Sequence, residues 1–316
     1  MDKRKLKIAL KICISLLFIG YLSFKVDFSM IAGAFRRINF LLYLLSTLIA
    51  LISNFIIAGK YHFLIKESPI KHSLFSLIKI NFITRFYALF LPSAVGREAV
   101  RWYKVTRNQD GRVLFLSSII FERLTFLFVL ILCAAVPLYF YNSKPEITVL
   151  KTRLVPLVFI SFGIIFLALS FYFLAPLRLL VESVARRISA SIVQKFDINS
   201  FLKNFSLPNI KTASCVIIFG LSLIWQLFFL SRMSTLMAAA SLPLTLVDVA
   251  WMGSLVLLLQ TLPISFAGIG LREGAYAYLF SLYKLPPEKG ILIGVLFFSQ
   301  MLIMASVGGI FEFIER

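Results

Sequence analysis

The chain has 316 residues, of which 60% are hydrophobic and 33 are Phe, with a mean hydropathy of +0.92. That is more apolar surface than a soluble domain can bury, so a soluble enzyme or binding module is excluded and an all-α polytopic integral membrane protein is expected. The net charge of +19 would suit nucleic acid if it formed one soluble face, but Lys and Arg sit between hydrophobic stretches, where they mark the cytoplasmic side and attract anionic lipid.

In chain order, residues 8–24 are too long for a signal h-region and lack a small-residue cleavage site, so a retained helix is expected. Lys3, Arg4, Lys5 and Lys7 hold the N-terminus in the cytoplasm. Residues 25–39 then read as external, with an alternating polarity that suits a short interfacial helix. Residues 40–58 return inward and deliver Lys60, Lys66 and Lys71, with His62 and His72, to a solvated cytoplasmic loop. Residues 74–91 resemble a further span but carry Lys79, Asn81, Thr84 and Arg85 in their middle, a costly load for a lipid-facing helix. They are also followed by Arg97, Arg101, Lys104, Arg107 and Arg112, which a complete span would place outside. A re-entrant hairpin over about 73–104, turning near Pro92 to Gly96, resolves the conflict, because non-helical backbone at that depth is tolerated where it lines a wet cavity.

Residues 113–141 cross outward, 154–175 return, and 178–211 form a basic cytoplasmic segment. Residues 212–230 exit, and 233–247, free of Lys and Arg, read as an external loop. Residues 250–262 enter from outside, break at 263–270, and return over 271–283, a second hairpin over about 249–284; the last helix, 291–314, ends in the cytoplasm. The expected architecture is one membrane domain over 1–316 with about six full spans and two oppositely inserted hairpins, a candidate inverted repeat; the alternative is that either hairpin spans fully. Cys13, Cys133 and Cys215 fall within predicted spans, so no disulfide, metal or cofactor is expected.

The two breaks are nearly the same phrase: Leu91-Pro92-Ser93-Ala94-Val95-Gly96-Arg97-Glu98 and Leu262-Pro263-Ile264-Ser265-Phe266-Ala267-Gly268-Ile269-Gly270-Leu271-Arg272-Glu273. In both, the Arg precedes a Tyr by the same interval, Arg97 to Tyr103 and Arg272 to Tyr278. Paired Pro/Gly breaks free backbone groups and helix ends inside a bilayer and point to a binding site. Pro92, Gly96, Pro263, Ser265, Gly268 and Gly270 make the breaks. Arg97, Arg101 and Arg272 follow them, where a new helix N-terminus and a bidentate guanidinium both favour phosphate. Glu98, Glu122, Arg123 and Glu273 are ionisable groups at membrane depth, read either as a ligand site or as internal ion pairs. Asn81 and Arg85 complete the candidate headgroup site.

Three segments resemble the flippase-like membrane domain of lysylphosphatidylglycerol synthases and their stand-alone relatives. Pro92 to Arg101 is similar to the family's Pro-Gly-Gly-x-Gly-Gly-Asp/Glu-x-x-Arg segment, Glu122-Arg123 to its Glu-Arg pair, and Pro263 to Glu273 to its Pro-x-Ser-Pro-Gly-Gly-x-Gly-x-x-Glu segment. Ser93, Ala94 and Arg97 stand where the family has glycines, Phe266 and Ala267 replace Pro-Gly, and Phe126 stands where an Asp often follows. The resemblance implies movement of lipid between leaflets by a member without the soluble synthase domain. Within the motifs it favours Glu98 and Arg101 over Arg97, and Glu273 over Arg272. The expected substrate is an anionic or phosphate-bearing lipid, aminoacylated and glycosylated forms included, in a prokaryotic plasma membrane; a homo-oligomer is an open expectation. The alternatives are a membrane-embedded transferase acting on a lipid-linked substrate and a non-catalytic membrane subunit; no paired Asp, Ser-His or metal constellation supports an enzyme.

Overall fold

The computed structural model describes residues 38–66, 68–91, 93–140, 212–261 and 268–315, with the isolated positions 33, 36, 156, 160 and 163. The expected spans at 8–24 and 154–175, the segment 178–211, and the break residues Pro92, Pro263 and Ser265 lie outside the described residues. Among the described residues there are eight helices and no strand: α1 (Phe40–Ile65), α2 (Leu74–Ala88), α3 (Ser93–Thr106), α4 (Arg112–Phe140), α5 (Thr212–Ala239), α6 (Leu246–Thr261), α7 (Leu271–Leu282) and α8 (Pro287–Ile314).

Four of them are long and apolar enough to cross a membrane, over Phe40–Ile65, Arg112–Tyr139, Ser214–Ala239 and Pro287–Ile314. The chain is an integral membrane protein. The polarity of α1 is inverted relative to a soluble helix. Its buried stripe includes Ser46, Thr47, Ser53, Asn54 and Lys60, while Leu41, Leu44, Leu48 and Phe55 face outward. Lipid accepts the apolar face, and polar groups must find partners inside. The other four helices are short. At about 1.5 Å per residue, the 16 residues of α6 reach about 24 Å and the 12 of α7 about 18 Å, against a hydrocarbon thickness of about 30 Å.

The order long, short, short, long therefore occurs twice, and the register repeats with it. Ser73 caps α2 by accepting from Ser76 N–H at 3.2 Å, and Thr245, 172 positions later, caps α6 by accepting from Asp248 N–H at 3.2 Å. Asp248 returns the bond to Thr245 N–H at 2.8 Å, completing a capping box. After the break the interval is 175, from Arg97-Glu98 to Arg272-Glu273 and from the start of α4 to the start of α8. Packing follows the same duplication: α2 lies on α8, α6 lies on α4, and α1 lies on α5. The α1–α5 pair is antiparallel, since Asn39 N–H donates to Ala239 O at 2.9 Å and Ser46 Oγ to Arg232 O at 3.0 Å.

Each four-helix unit supplies most of one apolar core, to which the other unit adds Ile218 in the first core and Tyr43 and Leu138 in the second. Leu64, Leu77, Ile80, Val105, Phe115 and Phe121 fill the first, and Met233, Trp251, Val256, Phe280, Ile293 and Leu296 fill the second. A third, small cluster joins the two breaks: Leu89 and Phe90 of the first and Ile269 of the second pack with Phe298 and Ala305 of α8.

Two sequence expectations are corrected here. Residues 60–65 are the last turns of α1 rather than a loop, and Lys60 is 1% exposed. Residues 233–239 continue α5 rather than forming an external loop, with Met233, Leu236 and Ala239 fully buried. In both cases loop composition was a poor guide because a membrane protein buries polar residues and carries helices beyond the apolar run.

The α2–α8 contact depends on Gly308, whose missing Cβ would stand 2.0 Å from the Phe82 carbonyl oxygen. Small residues at such crossings let backbones meet. Gly308→Ala is expected to cost about 1–3 kcal/mol through overpacking, read as a lower midpoint of thermal unfolding in detergent. Gly59→Ala, where a Cβ meets open space, is expected to stay within about 1 kcal/mol of the parent.

Candidate functional site

Between the two units lies a cavity of about 170 Å³, with walls from α1, α2, α3 and α4 on one side and α5, α6 and α8 on the other. Its lining obeys the duplication. Ser53, Ile57 and Lys60 of α1 face it together with Trp225, Phe229 and Arg232 of α5, each pair 172 positions apart. Arg85 and Ala88 of α2 pair likewise with Leu257 and Gln260 of α6, and Glu122 and Phe126 of α4 with Phe297 and Met301 of α8, now 175 apart. Equivalent turns of equivalent helices thus form opposite walls.

The charged residues are unequally divided. Lys60, Arg85, Arg97, Arg101 and Arg123 come from the first unit and Arg232 from the second, and Glu122 is the acidic side chain in the lining. Glu98, one turn before Arg101 on α3, is the hub beneath them. It accepts from Arg101 and Arg123, from Arg97 Nε at 3.3 Å, and from the Tyr61 hydroxyl at 3.1 Å. Arg101 also donates to Tyr61 Oη at 2.7 Å and to Asn81 Oδ1 at 2.9 Å, with its guanidinium 4.4 Å from the Tyr61 ring centre. Glu122 forms a buried ion pair with Lys60, and Lys60 Nζ stands 3.5 Å from Ser222 Oγ on α5.

Asn54 links the network to α2: its Oδ1 accepts from Asn81 Nδ2 at 3.1 Å and from Arg85 Nε. Across the cavity, Arg232 Nε donates to Gln300 Oε1 at 2.8 Å and its guanidinium lies 4.0 Å from the Phe297 ring centre. Among the described residues, three buried donors on lining side chains have no hydrogen-bond acceptor: Arg123 Nε, Trp225 Nε1 and Arg232 Nη2. Most buried polar groups are satisfied, so unpartnered donors around one cavity favour an acceptor-rich ligand there.

Of the residues expected from sequence, Arg101, Glu98, Arg97, Glu122, Arg123, Arg85 and Asn81 are brought together, and Gly268 lines the same space. Gly96 packs against Leu91 at the start of α3. Arg272 and Glu273 lie elsewhere. Arg272 is fully buried, paired with Glu273 at 2.8 Å and 4.9 Å from the Phe297 ring centre. Glu273 accepts from Gly270 N–H at 2.6 Å and so caps α7. Gly268 and Gly270 have φ of 76° and 80°, the left-handed region that glycine enters without strain. The second break is held by this local geometry.

Lys60, Tyr61, Asn54, Trp225 and Arg232 were missed by sequence reasoning. A signal existed for two of them: Lys60 and Arg232 are basic residues at the same register of repeated helices. Detecting it requires extending the repeat backwards from the Pro/Gly phrases to Ser73 and Thr245.

The family described as the Lysylphosphatidylglycerol synthase TM region matches residues 8–309, and the chain belongs to it. No curated protein and no solved structure matches the chain.

The Lys60–Glu122 pair is 1% and 6% exposed. Lys60→Ala would take from Glu122 its hydrogen-bonded cation and leave Arg123 Nε, 4.0 Å away, as its ion-pair partner; it is expected to destabilise the protein by about 1–3 kcal/mol. The double variant Lys60→Met with Glu122→Leu is expected to recover most of that loss, because paired removal leaves no lone charge. Thermal unfolding of the three proteins in one detergent checks the order.

Proposed function

We propose that this member of the lysylphosphatidylglycerol synthase TM region family translocates a phosphate-bearing lipid between leaflets, with the headgroup passing through the cavity while the acyl chains stay in lipid. The observation that carries the reading is the excess of basic side chains in a buried cavity where two interrupted helix pairs meet. A headgroup phosphate supplies the acceptors that Arg123, Trp225 and Arg232 lack, and guanidinium groups bind it bidentately. Arg101 is the central ligand, positioned by Glu98, Asn81 and Tyr61. Glu122 holds Lys60, and Arg272 and Glu273 keep the second break in shape.

The short pairs α2–α3 and α6–α7 act as re-entrant hairpins, each too short per helix to cross. The antiparallel α1–α5 contact and the repeated register support an inverted arrangement, in which the hairpins enter from opposite sides and meet near the midplane. Such an arrangement gives a headgroup site two routes of access related by the repeat. A cytoplasmic N-terminus is supported by the Lys3, Arg4, Lys5 and Lys7 cluster.

Purified protein in liposomes carrying tail-labelled phosphatidate or phosphatidylglycerol tests the reading. Leaflet exchange is expected to accelerate with the parent protein. Arg101→Ala, which removes charge-assisted bonds of about 1.5–3 kcal/mol, is expected to slow it about 10- to 100-fold. Exchange that does not rise above protein-free liposomes, accompanied by a chemically altered lipid, would replace translocation with a transferase activity.

A further inference from the structure

The site holds more positive charge than its own carboxylates balance. Lys60 is matched by Glu122, and Arg97, Arg101 and Arg123 share the carboxylate of Glu98, with Arg123 also 4.0 Å from Glu122. Arg85 and Arg232 meet neutral amide oxygens, those of Asn54 and Gln300. Among the described residues, six cationic side chains line the cavity against Glu98 and Glu122. Arg232 lines the cavity and is 7% exposed, and its Nη2 has no hydrogen-bond acceptor among the described residues.

The duplication locates the origin of this imbalance. Lys60 and Arg232 occupy the same register of α1 and α5, and Glu122 and Phe297 the same register of α4 and α8. In the first unit the basic side chain meets a carboxylate. In the second it meets an aromatic ring 4.0 Å away. A ring holds a guanidinium in place without neutralising it, so the charge of Arg232 stays available to a ligand.

Uncompensated charge in a membrane interior is costly unless something bound there pairs with it. A phosphodiester brings one negative charge, whereas a phosphomonoester or a diphosphate brings more than one. An aminoacylated headgroup brings an ammonium that needs a carboxylate, and both carboxylates here are already held by basic side chains. Resting on the translocator reading, we propose that the cavity selects a lipid ending in a multiply charged phosphate, a phosphomonoester or diphosphate, with Arg85 and Arg232 as its anion anchors, and discriminates against headgroups carrying a free ammonium.

The test is a binding series on the full-length protein in detergent with four probes: short-chain phosphatidate, farnesyl diphosphate, short-chain phosphatidylglycerol and short-chain lysylphosphatidylglycerol. The first two are expected to bind at least about tenfold more tightly than phosphatidylglycerol, and the last to be weakest. The preference is expected to collapse in Arg85→Gln and Arg232→Gln, and also in Phe297→Glu, which installs the carboxylate that the first unit carries. The series on the parent protein decides the matter even where a variant fails to fold. Equal or tighter binding of phosphatidylglycerol or lysylphosphatidylglycerol overturns the proposal. Leaflet exchange of those two lipids would in that case leave translocation standing, whereas tight phosphatidate binding without any exchange would refute translocation and keep the ligand class. Inorganic diphosphate as an added arm separates the sources. Binding as tight as that of the lipid diphosphate supports the charge selectivity and assigns it to a soluble anion, and binding about tenfold weaker assigns it to the lipid.

Discussion

Two carboxylates inside an apolar helix assembly, Glu98 and Glu122, carry the electrostatic balance of the first unit. A basic side chain at that depth persists only with a counter-charge and with hydrogen bonds for its remaining donors. Glu98 on α3 answers Arg97 and Arg101 on its own helix and Arg123 on α4, while Glu122 on α4 answers Lys60 on α1. The Tyr61 hydroxyl, 3.1 Å from Glu98 and 3.4 Å from Glu122, ties the two together. The network therefore fixes α1, α3 and α4 relative to one another. It also holds the α2–α3 break against the cavity, because Asn81 and Arg85 are joined to it through Arg101 and Asn54.

The two halves of the duplicated scaffold diverge where they line the cavity. The two units keep the same helix order, the same caps at Ser73 and Thr245, and the same lining positions. Their chemistry differs. The Arg97-Glu98 pair points its charge into the network of the first unit, while Arg272-Glu273 is consumed in capping α7 and in filling space beside Phe297 and Met301. The close approach of Gly294 to Glu273, where a Cβ would stand 2.7 Å from its Cγ, shows how tightly that second pair is enclosed. One wall of the cavity thus carries charge and the other is mostly aromatic and apolar, with Arg232 as its cation. Such a wall suits a ligand with an anionic end and an apolar remainder.

Much of this was legible in the chain. The apolar composition established a membrane protein, and the Pro/Gly phrases located both helix interruptions. Intramembrane Arg and Glu residues nominated Arg101, Glu98, Glu122, Arg123, Arg85 and Asn81, which the fold does gather. Arg272 and Glu273 stand outside the lining, because identical dipeptides on repeated helices take different neighbours once the facing residue changes from Glu122 to Phe297. The reading of Lys60 as a loop residue failed because charge near the end of an apolar run marks solvent only on average.

Composition and local pattern thus decided the medium, the positions of the helix breaks and the identity of most charged groups, since these depend on transfer energies and backbone chemistry carried by short stretches of chain. Packing decided which charges meet. Lys60 and Glu122 are 62 positions apart, and Arg232 and Gln300 are 68 apart; no periodicity along a single helix encodes either pairing. Only the antiparallel contact of α1 with α5, and the placement of α4 and α8 across from them, determines that one basic side chain is neutralised while its repeat counterpart lies against Phe297 with charge to spare.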